Sequence, residues 1–284
     1  MKTILVTGAC GYIGRHVVDT ITKMGGQVIA LDRTIPDPAL FYESIEADIL
    51  SPDFDLKDYI AEKPDACLHL AWSNGFNHNA LSHMEDLSGH FKFLNQVLEN
   101  GIKQLAVMGS MHEVGYWEGP IDESTPCNPQ SLYGIAKDAL RRAVFVQTKG
   151  TEEKVQWLRG YYIYGDDSTS QSIFGKLIRA AARGNRSFPF TSGKNKYDFL
   201  SIDELAFQVA ACVMQDEVTG IINCCSGKPV SLAEQVEWFI ESNNLDISLE
   251  YGAFPDRVYD SPGVWGNPEK IDAILTQFGH MATP

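Results

Sequence analysis

The segment Ser131-Leu132-Tyr133-Gly134-Ile135-Ala136-Lys137 sets a phenol four residues before an ammonium. Residues i and i+4 share one helix face, so Tyr133 and Lys137 are neighbours if this run is helical. An ammonium beside a phenol favours the phenolate and lowers the phenol's pKa from about 10. Such a tyrosine can give and take a proton near neutral pH. The spacing is common and carries little by itself. Ser110 adds to it, because it ends the apolar run Val107-Met108-Gly109-Ser110, where a hydroxyl would bond the substrate oxygen that Tyr133 holds. Viewed alone, Ser110 reads as a turn serine at a strand end.

A second feature is Thr7-Gly8-Ala9-Cys10-Gly11-Tyr12-Ile13-Gly14, between an apolar run and a helical pattern. Glycines there allow a tight turn, close approach of backbone to a pyrophosphate, and close helix–strand packing. The helix N-terminus then offers free N–H groups to phosphates. The spacing is Gly-x-x-Gly-x-x-Gly rather than the Gly-x-Gly-x-x-Gly of ordinary dinucleotide-binding dehydrogenases. Asp32 ends the second apolar run, 18 residues after Gly14, where an acidic residue would hold adenosine ribose hydroxyls. Asp32 repels a 2′-phosphate and the adjacent Arg33 attracts one, so the pair leans to NAD(H) and leaves NADP(H) open. Asp48 and Ile49 are placed either to touch the adenine or, for Asp48, to cap a helix.

The elements that must position these groups follow from pattern. Short apolar runs at residues 3–7, 28–31, 66–71, 104–108 and 155–158 alternate with helical stretches near 12–24, 56–62, 84–100 and 131–148. This alternation predicts an α/β fold with a doubly wound parallel sheet, whose strands are buried on both faces. After about residue 165 the rhythm loosens. A helix is expected near 173–183 and another near 231–242, the latter opening on a Ser231/Glu234 capping box. Further strands are expected at 198–202 and 220–223. The expected organisation is a Rossmann domain over 1–165 with return segments near 198–225, and a smaller interwoven substrate-binding region over 166–197 and 226–284.

Composition narrows the function classes. The 284 residues hold 23 Lys+Arg against 37 Asp+Glu, a net charge of −14. That balance speaks against nucleic acid or an anionic membrane surface as partner. It also opposes any anionic small ligand, so local donors must do the binding. No apolar window approaches the roughly 18 residues of a membrane span, and the N-terminal apolar run is short for a signal peptide, so the expected location is the cytoplasm. Six cysteines without a CxxC pair read as free buried thiols. His78 and His83, five apart in an Asn/His-rich stretch, read as polar loop residues, and no metal site is expected.

Taken together, these residues resemble the extended short-chain dehydrogenase/reductase superfamily, the NAD-dependent epimerase/dehydratase group that acts on nucleotide sugars. The resemblance rests on Thr7-Gly8-x-x-Gly11-x-x-Gly14, Asp32, Asp48, His69-Leu70-Ala71, Ser110, Pro126-x-Asn128-Pro129 and Tyr133-x-x-x-Lys137. It continues through Arg159, Tyr164-Gly165, Asp198-Phe199, Ile202-Asp203-Glu204 and Asn223-x-x-Ser226-Gly227. It implies Tyr133 as acid/base, Lys137 on the nicotinamide ribose, and Ser110 on the sugar oxygen. It further implies a pyrophosphate on the backbone of residues 8–13, including Gly8, Gly11, Tyr12 and Ile13, with Leu70 and Ala71 along the cofactor. A nucleotide sugar is the implied partner. A homodimer face on the helices near 84–100 and 131–146 is implied as well, although their apolar stripes would equally suit burial against the sheet.

Departures from the family pattern narrow the reaction. Sugar 4,6-dehydratases resemble one another in an acidic pair after the catalytic hydroxyl; here those positions are Met111 and His112, with Glu113 next. A dehydratase is therefore not expected. Reduction of the 4-keto group of an NDP-4-keto-6-deoxyhexose, dTDP-linked by preference, is the favoured reaction, with Tyr133 protonating the new alkoxide. The alternatives are an NDP-sugar 4-epimerase and, in another class, a non-catalytic NAD(P)-binding regulator. Candidate substrate contacts are Trp72, Met111, His112, Tyr162 and Arg257. Trp72 either walls the crevice or packs, and His112 and Glu113 sit either beside the sugar or as ordinary loop residues. Arg257 is a candidate guanidinium for substrate phosphate, since Tyr197 stands where many relatives carry arginine.

Overall fold

Strand and helix alternate through the first 160 residues, and the apolar runs assemble side by side. The computed structural model describes residues 1–165, 171–256 and 260–279. In chain order the elements are β1 (Thr3–Thr7), α1 (Tyr12–Lys23), β2 (Gln27–Asp32), β3 (Glu43–Glu46), β4 (Ala66–His69), α2 (Ser82–Glu85), α3 (Leu87–Glu99) and β5 (Gln104–Ser110). They continue with β6 (Gly119–Ile121), α4 (Leu132–Gln147), β7 (Lys154–Gly160), β8 (Tyr162–Tyr164), α5 (Ile173–Ala182), β9 (Ser187–Pro189) and β10 (Lys196–Ser201). The last are α6 (Ile202–Met214), β11 (Gly220–Cys224), β12 (Pro229–Ser231), α7 (Leu232–Ser242), β13 (Ser248–Glu250), β14 (Gly263–Gly266) and α8 (Glu269–Gln277).

Seven strands form one parallel sheet in the order β11-β7-β5-β4-β1-β2-β3. The order reverses at β1, and β1 and β4 are neighbours that lead away in opposite directions. Such a switch point opens a crevice at the carboxyl ends of the strands. Register fixes what lies there. Thr7 pairs with Leu31 on one side and His69 on the other, so Gly8, Asp32 and Leu70 emerge along one edge. Side chains alternate along β1: Ile4 and Val6 enter the core beneath α1 and α6, and Leu5 enters the core beneath α3 and α4. This is the Rossmann α/β fold.

A second sheet has the order β12-β10-β14-β6, with β8 also pairing β10. Asp198 in β10 holds it together. Its buried carboxylate accepts from Ser226 N and Oγ at 2.8 and 2.6 Å, Gly227 N at 2.9 Å and Gly266 N at 3.2 Å.

Several elements differ from expectation, helix α8 and the short strands outside the large sheet among them. The helix expected near 56–62 is a 3-10 turn over Leu56–Asp58, started by the Asp55 carboxylate accepting from Lys57 N. The helix expected over 84–100 is two, α2 and α3, meeting at Asp86. Helix α6 went unrecognised because nine of its residues are buried, and a helix that is apolar nearly all round shows little periodicity. Its start was legible: Ser201 and Glu204 form a capping box like that of Ser231 and Glu234. All six cysteines are free, and no described helix is long and apolar enough to cross a membrane.

Candidate active site

The glycine turn is built by lack of space. Gly8 has φ +68°, and a Cβ there would lie 2.8 Å from the backbone of Ala71. A Cβ on Gly14 would lie 2.0 Å from Gly8 O. Helix α1 starts after Gly11 with no side chain capping it, so its first turn presents backbone N–H groups. Asp32 stands opposite: its carboxylate accepts from Cys10 N at 3.0 Å and Arg33 N at 2.8 Å. Arg33 itself is exposed. Asp48 does two things, accepting from Leu50 N at 3.0 Å in a local turn and lining the same cavity, beside Ile49. Leu70 N donates to Thr7 O at 3.1 Å and Ala71 N to Thr7 Oγ1 at 3.3 Å, which seats both residues against the turn.

The other end of the cavity is set by α4. Its first three N–H groups are all taken: Leu132 N by Asn79 Oδ1 at 3.3 Å, Tyr133 N by His78 O at 2.9 Å, and Gly134 N by Ser131 Oγ at 3.2 Å. The Asn/His-rich stretch is thus docked on the start of this helix. Tyr133 and Ser110 both line this end of the cavity, and the Ser110 hydroxyl favours the phenolate form of Tyr133. Lys137 Nζ donates to Met108 O at 2.7 Å and lies 3.7 Å from the centre of the Trp72 ring. Cation and ring face attract at this range.

The protonation pattern differs from expectation. Burial pushes the Tyr133 phenol up to about 12, only partly offset by the Ser110 hydroxyl. Burial brings the Lys137 ammonium down to about 7. The expected lowering of the phenol by the lysine is absent because Nζ points at Met108 O and Trp72, 6.0 Å from the centre of the phenol ring. Desolvation is the largest influence on both groups.

Histidines surround this pair. The His78 ring stacks on Tyr133 at 5.3 Å and 16°, and lies 4.2 Å from the His112 ring. Burial lowers both, His112 to about 4, so both are neutral at pH 7. Beneath them Trp72 stacks on His90 at 4.4 Å and donates to His83 Nδ1 at 3.1 Å. His90 is hydrogen-bonded to His69 at 3.0 Å, and His69 to Thr7 Oγ1 at 2.8 Å. Burial holds His69 well below its ordinary value and His90 near about 3, so this chain is neutral too. His78 does stand in the loop, where it lines the cavity, whereas His83 is buried in α2 rather than in a loop. No spacing rule would have found them, because the contacts join segments distant in sequence.

One cavity of about 830 Å³ connects these parts. Gly8, Gly11, Tyr12, Ile13, Gly14, Asp32, Arg33, Asp48, Ile49, Leu70 and Ala71 line one end; Trp72, Ser110, His112, Tyr133, Lys137 and Tyr162 line the other. One expected residue among those described is not among its walls. Met111 is buried in the core beneath the turn that follows Ser110, and Arg257 lies outside the described residues. Glu113 is also no cavity residue: its carboxylate is wholly buried behind Ser110. Asp32 and Asp48 are the cavity's carboxylates among the described residues, both at the glycine-turn end.

This fold and site define a nicotinamide-dependent oxidoreductase architecture, and comparison with known proteins agrees. The pattern of the NAD dependent epimerase/dehydratase family matches residues 4–225, and the chain belongs to that family of enzymes. It is 45% identical over 267 residues to a dTDP-6-deoxy-L-talose 4-dehydrogenase (NAD(+)) from Aggregatibacter actinomycetemcomitans, covering 93% of this chain and 98% of that protein. Among solved structures it resembles MoeE5 in complex with UDP-glucuronic acid and NAD, at 25% identity and a TM-score of 0.82, covering 99% of this chain and 94% of that one. A UDP-glucose-4-epimerase from Stenotrophomonas maltophila with bound NAD shares the fold with a TM-score of 0.84 at 18% identity, covering 100% and 94% of the two chains.

The residues present fit a nicotinamide dinucleotide. The space a Cβ would fill at Gly8 and Gly14 is taken by backbone, which keeps the turn flat against the strand. The uncapped start of α1 suits the pyrophosphate, and Asp32 at the end of β2 suits ribose hydroxyls.

Proposed function

We propose that this chain is an oxidoreductase acting at C4 of a dTDP-linked 6-deoxyhexose, working as a reductase of the 4-keto group. The observation that carries this reading is the cavity that joins the glycine turn and Asp32 to Ser110, Tyr133 and Lys137. The dTDP-6-deoxysugar relative at 45% identity supports the choice of substrate. A bound nicotinamide would supply or accept the hydride. The chain's own groups do the rest. The N–H groups at the start of α1 hold the pyrophosphate and Asp32 the adenosine ribose. Ser110 donates to the C4 oxygen and orients it. Tyr133, held protonated by burial, gives its proton to that oxygen as the alkoxide forms. Lys137 binds the nicotinamide ribose, and the rings of Trp72, His78, His112 and Tyr162 exclude water from the reacting end. Elimination across C5 and C6 would need carboxyls there, and among the described residues the cavity's carboxylates sit at the opposite end.

Mixing the protein with NADH or NADPH and a panel of 4-keto-6-deoxy sugar nucleotides tests this. Loss of one reduced nicotinamide per sugar is expected, with the dTDP sugars turned over fastest. No oxidation across the panel would sink the reading. Conversion of one sugar nucleotide to its C4 epimer without net change in the nicotinamide would replace it by a 4-epimerase.

The same proposal favours NAD(H) over NADP(H), because the Asp32 carboxylate repels a 2′-phosphate while Arg33 is exposed. Asp32→Ala is expected to lower kcat/KM for NADH by about tenfold and to narrow the NADH/NADPH preference. An unchanged preference would assign selectivity to other residues.

A further inference from the structure

Glu113 has an environment that the reading above does not use. It is wholly buried, three residues after Ser110, at the end of the 3-10 turn Met111–Glu113. Every group facing it is a donor. Ser110 N donates to Oε1 at 2.6 Å, and Trp157 Nε1 donates to both oxygens at 2.9 and 3.0 Å. Arg159 Nη2 and Arg141 Nε lie 3.5 and 3.7 Å from Oε2. Burial raises the Glu113 carboxyl above its ordinary value, while Arg159, the bonds from Ser110 N and Trp157 Nε1, and Arg141 favour the anion. The Nε atoms of both arginines are buried without a hydrogen-bond partner, and the carboxylate is the charge that compensates them. Gly109 completes the packing: a Cβ there would lie 2.1 Å from Trp157 Nε1 and 2.7 Å from Glu113 Oε1.

We propose that Glu113 is a positioning residue for the reaction: its buried carboxylate fixes the turn that carries Ser110 and sets the electrostatic field on the Tyr133–Lys137 pair. The mechanical part is the capping box. Ser110 Oγ accepts from His112 N at 3.3 Å while Glu113 accepts from Ser110 N, so the serine is clamped at its side chain and its backbone. The same box joins the cavity residue His112 to the clamp. The electrostatic part is long-range. The anion favours the protonated phenol of Tyr133 and the charged form of Lys137; in Tyr133 it adds to the effect of burial and in Lys137 it opposes it. Arg159 on β7 and Arg141 on α4 oppose this field, and Cys127 and Tyr161 are the other titratable side chains that feel the carboxylate. Glu113 thereby couples strand β5, which ends in the hydroxyl, to helix α4, which carries the phenol and the ammonium.

The inference rests on Ser110 and Tyr133 as the reacting pair, and two variants separate its failure from failure of that reading. Full turnover in Ser110→Ala would overturn the pair itself. With Ser110→Ala impaired, Glu113→Gln tests the inference alone, because it keeps shape and removes charge. The expected result is a fall in kcat of about tenfold or more with little change in KM for NADH, and an alkaline limb of the reductive kcat profile displaced to lower pH. A variant with wild-type kcat, or with reduced kcat and an unmoved limb, would overturn the proposal, since lost stability alone does not shift a titration. If Glu113→Gln does not fold, Glu113→Asp carries the test. It keeps the charge and draws the carboxylate back from Ser110 N, so kcat should fall about tenfold while the limb stays in place. Unchanged kcat in Glu113→Asp would overturn the positioning role.

Discussion

Tyr133→Phe loses turnover by about a hundredfold to ten-thousandfold while still binding the nicotinamide cofactor. The variant deletes one oxygen and leaves the ring. Its stacking on His78 and its edge contact with Trp72 persist, as does the backbone bond to His78 O that anchors the start of α4. What disappears is the hydroxyl and the proton it carries. On the proposed reading Tyr133 acts in the transition state and the dinucleotide is held chiefly by the turn at the other end of the cavity, so KM for NADH should stay within about threefold. The pH dependence is a second mark of the same event. Burial holds the wild-type phenol protonated far above neutrality, so reduction proceeds until alkaline pH removes the Tyr133 proton. The sign is unambiguous: the rate of reduction falls as pH rises. The residual rate of Tyr133→Phe should lack that limb. Steady-state reduction across pH, with cofactor titration in parallel, checks both. A variant keeping a tenth or more of wild-type kcat would remove Tyr133 from the acid role.

The sheet and the glycine turn were legible because each is written locally. Parallel strands buried on two faces must be apolar runs, and β1, β2, β5 and β7 fall where such runs lie. The turn needs glycine wherever backbone occupies the Cβ position, so Gly8 and Gly14 announce it. The site was legible only as far as spacing reaches. Tyr133 and Lys137 share a face of α4, yet their spacing says nothing of burial, and burial decides their protonation. Glu113 looked like a loop residue because its partners, Trp157, Arg159 and Arg141, stand on β7 and α4. The chain Thr7–His69–His90–Trp72–His83 spans β1, β4, α3, the loop after β4 and α2, and only the fold brings it together. Long-range side-chain contact is what a single sequence leaves unwritten.

Gly14→Ala should abolish dinucleotide binding although it adds one methyl group. Its Cβ would lie 2.0 Å from Gly8 O, 2.8 Å from Ala9 O and 2.9 Å from Ala9 C. All three are backbone atoms, so no side chain can rotate out of the way. Relief requires α1 to move off the end of β1, and that motion opens the turn whose N–H groups face the cavity. Overpacking of this kind costs about 1–3 kcal/mol of stability. The loss of binding should be larger than that cost implies. The chain carries a net charge of −14 and the ligand is itself anionic, so the local donors at the start of α1 must outweigh a repulsive field. Displacing them leaves the repulsion with little against it. Gly150→Ala is the informative contrast. Gly150 has φ +79° but open space around its Cβ position, so alanine there meets backbone strain of about 1–2 kcal/mol and no collision. Thermal melts with and without NAD separate the two. Both variants should melt below wild type, Gly150→Ala should keep the full rise on adding NAD, and Gly14→Ala should show none. A ligand-induced rise in Gly14→Ala equal to that of wild type would mean that the dinucleotide is not held at this turn.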